Sequence, residues 1–163
     1  MLWMSVSFLF PPDDAEEATL SLTTPIAPKT KRNTKAIGDL SELEVAIALA
    51  RVGFIVSKPL GDSHRYDLII DDGRTLSRVQ VKTGKLTSGA IRVSCCSSHT
   101  HCGGAPRSYS GEIEYIGVFC PQTGEVYLVP ESDIVDSYMH LRVAPTANRQ
   151  DRNIRWASRY KLA

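Results

Sequence analysis

A chain of 163 residues, 42% of them hydrophobic, fits one domain with enough apolar content to bury a core. No stretch approaches the length of a transmembrane helix. The apolar opening Met1 to Phe10 is short, lacks a basic leader and runs into Pro11-Pro12-Asp13-Asp14, so no secretory signal is expected. The chain therefore reads as soluble and cytoplasmic, with no membrane partner.

The formal charge of +1 averages over an uneven layout. Asp13, Asp14, Glu16 and Glu17 are followed by Lys29, Lys31, Arg32 and Lys35. The far end carries Arg142, Arg149, Arg152, Arg155, Arg159 and Lys161, answered there only by Asp151. A solvated surface is the simpler account of any single charge run. Basic patches at both ends nevertheless suit a polyanion better than the net charge implies.

Residues 1 to about 33 mix Pro, Thr, Ser and charge without periodicity and read as a poorly ordered arm. The internal Met4 also leaves open a later start of the gene. Residues 34–163 form the expected domain. Its first element is a helix from about Asp39 to Val52, with Asp39 as N-cap, Glu42 at the capping-box position and Gly53 as the stop. Leu43, Ala46, Ile47, Ala50 and Val52 recur along it at helical intervals.

Phe54 to Pro59 then reads as a short strand halted by proline. Tyr66 to Ile70 and Thr75 to Thr83 read as a hairpin around the turn dipeptide Asp72-Gly73. Ile91 to Val93 is a further strand, and Thr100 to Gly111 a loop. Ile113 to Phe119 and Val126 to Val129 are strands around the turn Pro121 to Gly124. A helical turn is expected at Glu131, a short edge strand at Leu141 to Val143, and a basic, helix-compatible segment at Ile154 to Tyr160. This order implies an α/β fold, a mixed central β-sheet flanked by helices.

The chemistry concentrates around the hairpin. Side chains two apart on a strand share a face, so Gln80 and Lys82 point one way while Val79 and Val81 turn into the core. With Asp67 at the head of the neighbouring strand, they form a carboxylate, an amide and an ammonium on otherwise apolar strands. Phosphodiester hydrolysis needs a cation to neutralise phosphate charge, an activated water and a stabilised leaving oxygen. Mg²⁺ takes oxygen ligands and keeps waters, so Asp67, the Gln80 amide oxygen, the Val81 carbonyl and Glu42 are the expected ligands. Lys82 positions or polarises the attacking water. Each residue also has a structural use: Glu42 as a cap, Asp67 in a turn, Gln80 and Lys82 as edge-strand protection.

Gly38-x-x-x-Glu42, Gly53-Phe54-x-Val56, Tyr66-Asp67-Leu68 and Val79-Gln80-Val81-Lys82-Thr83 resemble the PD-(D/E)XK nuclease superfamily. The resemblance is strongest to its branch of group I intron-encoded homing endonucleases, while archaeal Holliday-junction resolvases share the glutamate-bearing first helix. It extends from about Lys35 to the C-terminus, with Tyr109-x-Gly111-Glu112-Ile113, Val126 to Pro130 and Ile154-Arg155-x-Ala157 as further landmarks. It implies a restriction-endonuclease-like fold, with Glu42, Asp67 and Gln80 at the metal site and Lys82 as the catalytic lysine. Tyr66 stands where the motif has proline, which does no chemistry. Gln80 replaces the usual acid, as in the homing branch, and a neutral amide holds Mg²⁺ less strongly.

The expected function is a Mg²⁺-dependent endodeoxyribonuclease, with Mn²⁺ as a substitute and double-stranded DNA as substrate. Lys58, Arg65, Lys85, Arg92, Arg107 and Arg155 are the candidate phosphate contacts. Cutting both strands calls for a homo-oligomer, a dimer or tetramer. Junction resolution competes within the enzyme class. A DNA-binding protein that keeps the fold without the reaction competes from outside it, and Gln80 is the feature favouring it. A third, weaker expectation is zinc on Cys95, Cys96, His99, His101 and Cys102, although adjacent cysteines on a strand face apart.

Overall fold

The computed structural model describes residues 33–61, 63–97, 107–145, 152 and 154–162. The expected N-terminal arm, residues 1–32 above all, lies outside them. Its first element is helix α1, Thr34–Arg51. The cap is Asn33, whose side chain accepts from the Lys35 and Ala36 amides at 3.1 and 3.3 Å. Asp39 is therefore not the cap: it stands exposed inside the helix, which begins five residues before it and runs through Gly38. Glu42 is no capping-box residue either, since its carboxylate bonds to Lys58.

Strands β1 (Ile55–Ser57), β2 (Leu68–Asp71), β3 (Leu76–Thr83), β8 (Tyr115–Cys120) and β9 (Glu125–Pro130) form the central sheet, in the order β1-β2-β3-β8-β9. Within this sheet, among the described residues, only β3 and β8 run parallel, with Gln80 opposite Ile116 and Lys82 opposite Val118. The expected mixed sheet is present. A parallel pair needs a long crossover, and here the crossover folds into strands of its own. These are β4 (Lys85–Thr87), β5 (Ala90–Ser94), β6 (Cys96–Ser97) and β7 (Arg107–Ser108).

With β10 (Tyr138–Arg142), strands β5 and β4 make a second sheet in the order β10-β5-β4, while β6 and β7 form a small ribbon. The β4–β5 turn uses Ser88 and Gly89, both at positive φ, the backbone that a two-residue hairpin demands. The three-residue β4 is too short to carry a sequence pattern, which is why it was not expected.

The result is three layers. On one face of the central sheet, Val45 and Leu49 of α1 pack with Val79, Val81, Leu68, Ile70, Phe119 and Val126. On the other, Ile116, Val118 and Val129 pack with Ile91, Val93, Met139 and Leu141 of the second sheet. One helix thus flanks the sheet among the described residues, and strands cover the face where further helices were expected. Gly117 lets α1 approach, because a Cβ there would lie 2.7 Å from the Val45 side chain.

The C-terminal segment forms only a 3-10 turn, Ala157–Arg159. Its backbone serves strands instead of a helix: the Leu128 amide donates to the Tyr160 carbonyl and the Leu162 amide to Val126. The 3-10 turn at Glu131–Asp133 matches the expected helical turn. The basic end also meets acids distant in sequence, Lys161 pairing with Glu125 at 2.9 Å. No helix among the described residues is long and apolar enough to cross a membrane.

Candidate active site

The β2–β3 hairpin builds the rim. Asp72 closes its turn by accepting from the amides of Arg74 and Thr75. At the open end, the Asp67 amide donates to the Val79 carbonyl at 2.9 Å, which fixes the aspartate beside the middle of β3. Strand alternation then separates the neighbours as expected: Val79 and Val81 face α1, while Gln80 and Lys82 share the opposite side.

Asp67 and Gln80 meet directly. The Gln80 amide nitrogen donates to Asp67 Oδ2 at 2.5 Å and to the Val81 carbonyl at 3.3 Å, and the Val81 amide donates to the same Oδ2 at 2.7 Å. Gln80 is only 8% exposed. Lys82 lies close enough for its charge to act on Asp67, but its ammonium donates to the Tyr109 hydroxyl at 2.8 Å.

Helix α1 brings in Glu42. Ser41, buried against the sheet, shares a 2.6 Å hydrogen bond with the Thr83 hydroxyl, which pins the helix to the end of β3. The next residue, Glu42, pairs with Lys58 at 2.6 Å. Glu42, Asp67, Lys58, Lys35, Asp39 and Tyr66 line one open cavity of about 340 Å³. Sequence reasoning missed Lys35 and Asp39 there, since neither falls in a motif.

Burial pushes the Asp67 carboxyl above its ordinary range, and the Glu42 charge adds to this. The Val81 amide, Lys82 and Lys58 oppose it without prevailing. Lys58, held by Glu42, is raised in turn. A desolvated carboxylate without an arginine partner is a group that a bound cation would stabilise.

The donor set fits such a cation. The partly positive Gln80 NH₂ bridges Asp67 Oδ2 and the Val81 carbonyl, which marks a point where oxygens converge. Turning that amide over presents a third oxygen. Two hard oxygens, an amide and the nearby Glu42 suit Mg²⁺ or Mn²⁺ better than a soft metal.

The six candidate phosphate contacts separate. Lys58 lines the site cavity. Lys85 and Arg92 are exposed cross-strand neighbours on β4 and β5, with Arg92 stacked on Tyr138 at 4.1 Å. Arg65 is committed internally, donating to Glu112 at 2.5 Å, Ser97 at 2.9 Å and the Ser108 carbonyl at 2.7 Å. Arg107 pairs with Glu112 as well. Arg155 borders a different cavity, beside Asp133 and Tyr160. Of the zinc candidates, Cys95 is buried and Cys96 partly so, while His99, His101 and Cys102 lie outside the described residues. Among the described residues no His, Cys, Asp and Glu cluster of three could hold a metal.

Comparison with known proteins completes the picture. No curated protein sequence matches the chain. A solved bacterial homing endonuclease, I-Ssp6803I, is 26% identical, covers 80% of this chain and 89% of its own, and superposes with a TM-score of 0.66. The Holliday-junction resolvase Hjc of Archaeoglobus fulgidus is 15% identical over 65% of this chain and 84% of its own, with a TM-score of 0.38. The family profile described as PD-(D/E)XK endonuclease matches residues 32–163. The chain belongs to the PD-(D/E)XK endonuclease family.

Proposed function

We propose that this endonuclease hydrolyses phosphodiester bonds of double-stranded DNA with a divalent cation, Mg²⁺ or in its place Mn²⁺, in the manner of a homing endonuclease. One observation carries the proposal: Asp67, which lines an open cavity, is hydrogen-bonded to Gln80, and Lys82 stands two residues on along the same strand face. Asp67, Gln80, the Val81 carbonyl and Glu42 would hold the cation, which when bound neutralises charge on the phosphate. Support comes also from the likeness to the bacterial homing endonuclease.

The chain's own groups divide the remaining work. Lys82 orients the attacking water and meets the negative charge that develops on phosphate oxygen. Lys58, at the mouth of the cavity and 67% exposed, holds Glu42 in place and exchanges part of that contact for a DNA phosphate. Lys85 and Arg92 extend the basic surface, and Arg107 and Arg155 add phosphate contacts farther off. Arg65 acts inside the protein instead, as its three polar partners indicate.

Breaking both strands calls for two such sites, so the working form is a homo-oligomer, a dimer or tetramer. The outer side of α1 supports this, since Leu40, Leu43 and Ile47 are exposed on one helical stripe. The test is a panel of linear duplex, four-way junction and single-stranded DNA incubated with Mg²⁺, Mn²⁺ or a chelator. Cleavage of linear duplex in metal alone is the expected result. Preferential cutting of the junction would reassign the substrate, and binding without cutting under any metal would leave a DNA-binding protein with this fold.

A further inference from the structure

Lysine has a long, flexible stem, and an ammonium near a carboxylate will pair with it unless something else holds it. Lys82 has Asp67 within electrostatic reach. Yet among the described residues its ammonium donates to Tyr109, at 2.8 Å, and the Asp67 oxygen Oδ2 is taken by Gln80 and the Val81 amide. The ammonium also sits 4.9 Å from the centre of the Tyr109 ring.

Tyr109 is itself immobilised. It is 5% exposed and belongs to the core shared with Ile116 and Val118. The Arg65 guanidinium lies 4.4 Å from its ring centre. Glu112 Oε2, Ser97 Oγ and the Ser108 carbonyl fix that guanidinium in turn. A fully packed tyrosine whose hydroxyl faces the proposed catalytic ammonium is more than core filling, because phenylalanine would fill the same space.

We propose that Tyr109 is the positioning residue for Lys82: its hydroxyl holds the ammonium away from Asp67 and aimed at the reacting phosphate, with Arg65 and Glu112 as its brace. This rests on the nuclease reading of Lys82. It leaves Asp67 free to serve the cation, and it explains why Arg65 is turned inward.

The test is Tyr109→Phe, which removes one oxygen and keeps the ring. Single-turnover cleavage of duplex DNA should fall about 100-fold, while the DNA dissociation constant measured in Ca²⁺ and the melting temperature stay at wild-type values. Acetic anhydride labelling read by mass spectrometry should show Lys82 acylated several times more slowly than in wild type, relative to the exposed Lys85 in the same chain, because the released ammonium pairs with Asp67. Wild-type rates of cleavage and of labelling in the variant would overturn the proposal. A wild-type protein that cuts nothing would instead defeat the nuclease reading, and the labelling would still judge the Lys82–Tyr109 contact. Should Tyr109→Phe fail to fold, Glu112→Gln carries the test: slower cleavage with slower Lys82 labelling supports the brace, and no change in either overturns it.

Discussion

Two sets of acids flank β3 and are treated in opposite ways. At the head of β8, Glu114 takes the Arg78 backbone amide and guanidinium, and Glu112 takes Arg65 and Arg107. Both carboxyls are held below their ordinary range, chiefly by hydrogen bonds from the arginines. At the head of β2, Asp67 has an amide and a backbone N–H but, among the described residues, no arginine, and burial pushes it up. Acids that support the fold are neutralised by the protein; the acid at the rim is left short of positive charge. That shortfall is what a cation would fill.

The sharpest way to break the contrast is Asp67→Asn. It removes a proposed ligand, so cleavage should drop by about 10²–10⁴. It also removes a desolvated charge, so without metal the variant should melt higher than wild type, against the usual direction for a buried substitution. The pH dependence has a definite sign. A raised folded-state pKa means the native form holds its proton longer than the unfolded chain, so this aspartate's contribution to stability is lost as pH rises through that raised value. A wild-type melting curve measured without metal should carry this loss above the ordinary carboxylate range, and Asp67→Asn should lack it.

Gln80→Glu sharpens the same comparison by making the charge deficit worse. Two carboxylates would face each other where Asp67 and the amide now lie 2.5 Å apart. Metal-free stability should fall, and affinity for Mg²⁺ should rise on the order of tenfold because the site gains a charged ligand. Calorimetric titration checks both, and unchanged metal affinity would remove Gln80 from the ligand set.

Arg78→Ala probes the compensated side. Its pair with Glu114 is about two-fifths exposed on both partners, at 41% and 40%. Solvent screens such a pair, so the loss should be below about 1 kcal/mol and cleavage should be unaffected. A large effect on activity would mean that the two acid clusters are not separate.

How much of this was legible in the sequence follows from what each signal depends on. The hairpin and the sharing of one face by Gln80 and Lys82 depend on local turn chemistry and strand periodicity, so both could be read directly. The start of α1 could not, because Asp39 and Asn33 are equally good caps locally, and it is Asn33 that accepts from the first-turn amides in the fold. The second sheet escaped because its strands are short and its partner, β10, lies more than forty residues along the chain. Tyr109 was visible only as a family landmark. Its contact with Lys82 spans 27 residues, a relation that no local pattern encodes.

The most direct measurement is cleavage of duplex DNA by Lys82→Ala beside wild type, with DNA binding followed in the same samples. The account predicts metal-dependent cutting by wild type, a fall of about 10²–10⁴ in the variant and nearly unchanged binding. Cutting by Lys82→Ala at the wild-type rate would contradict it.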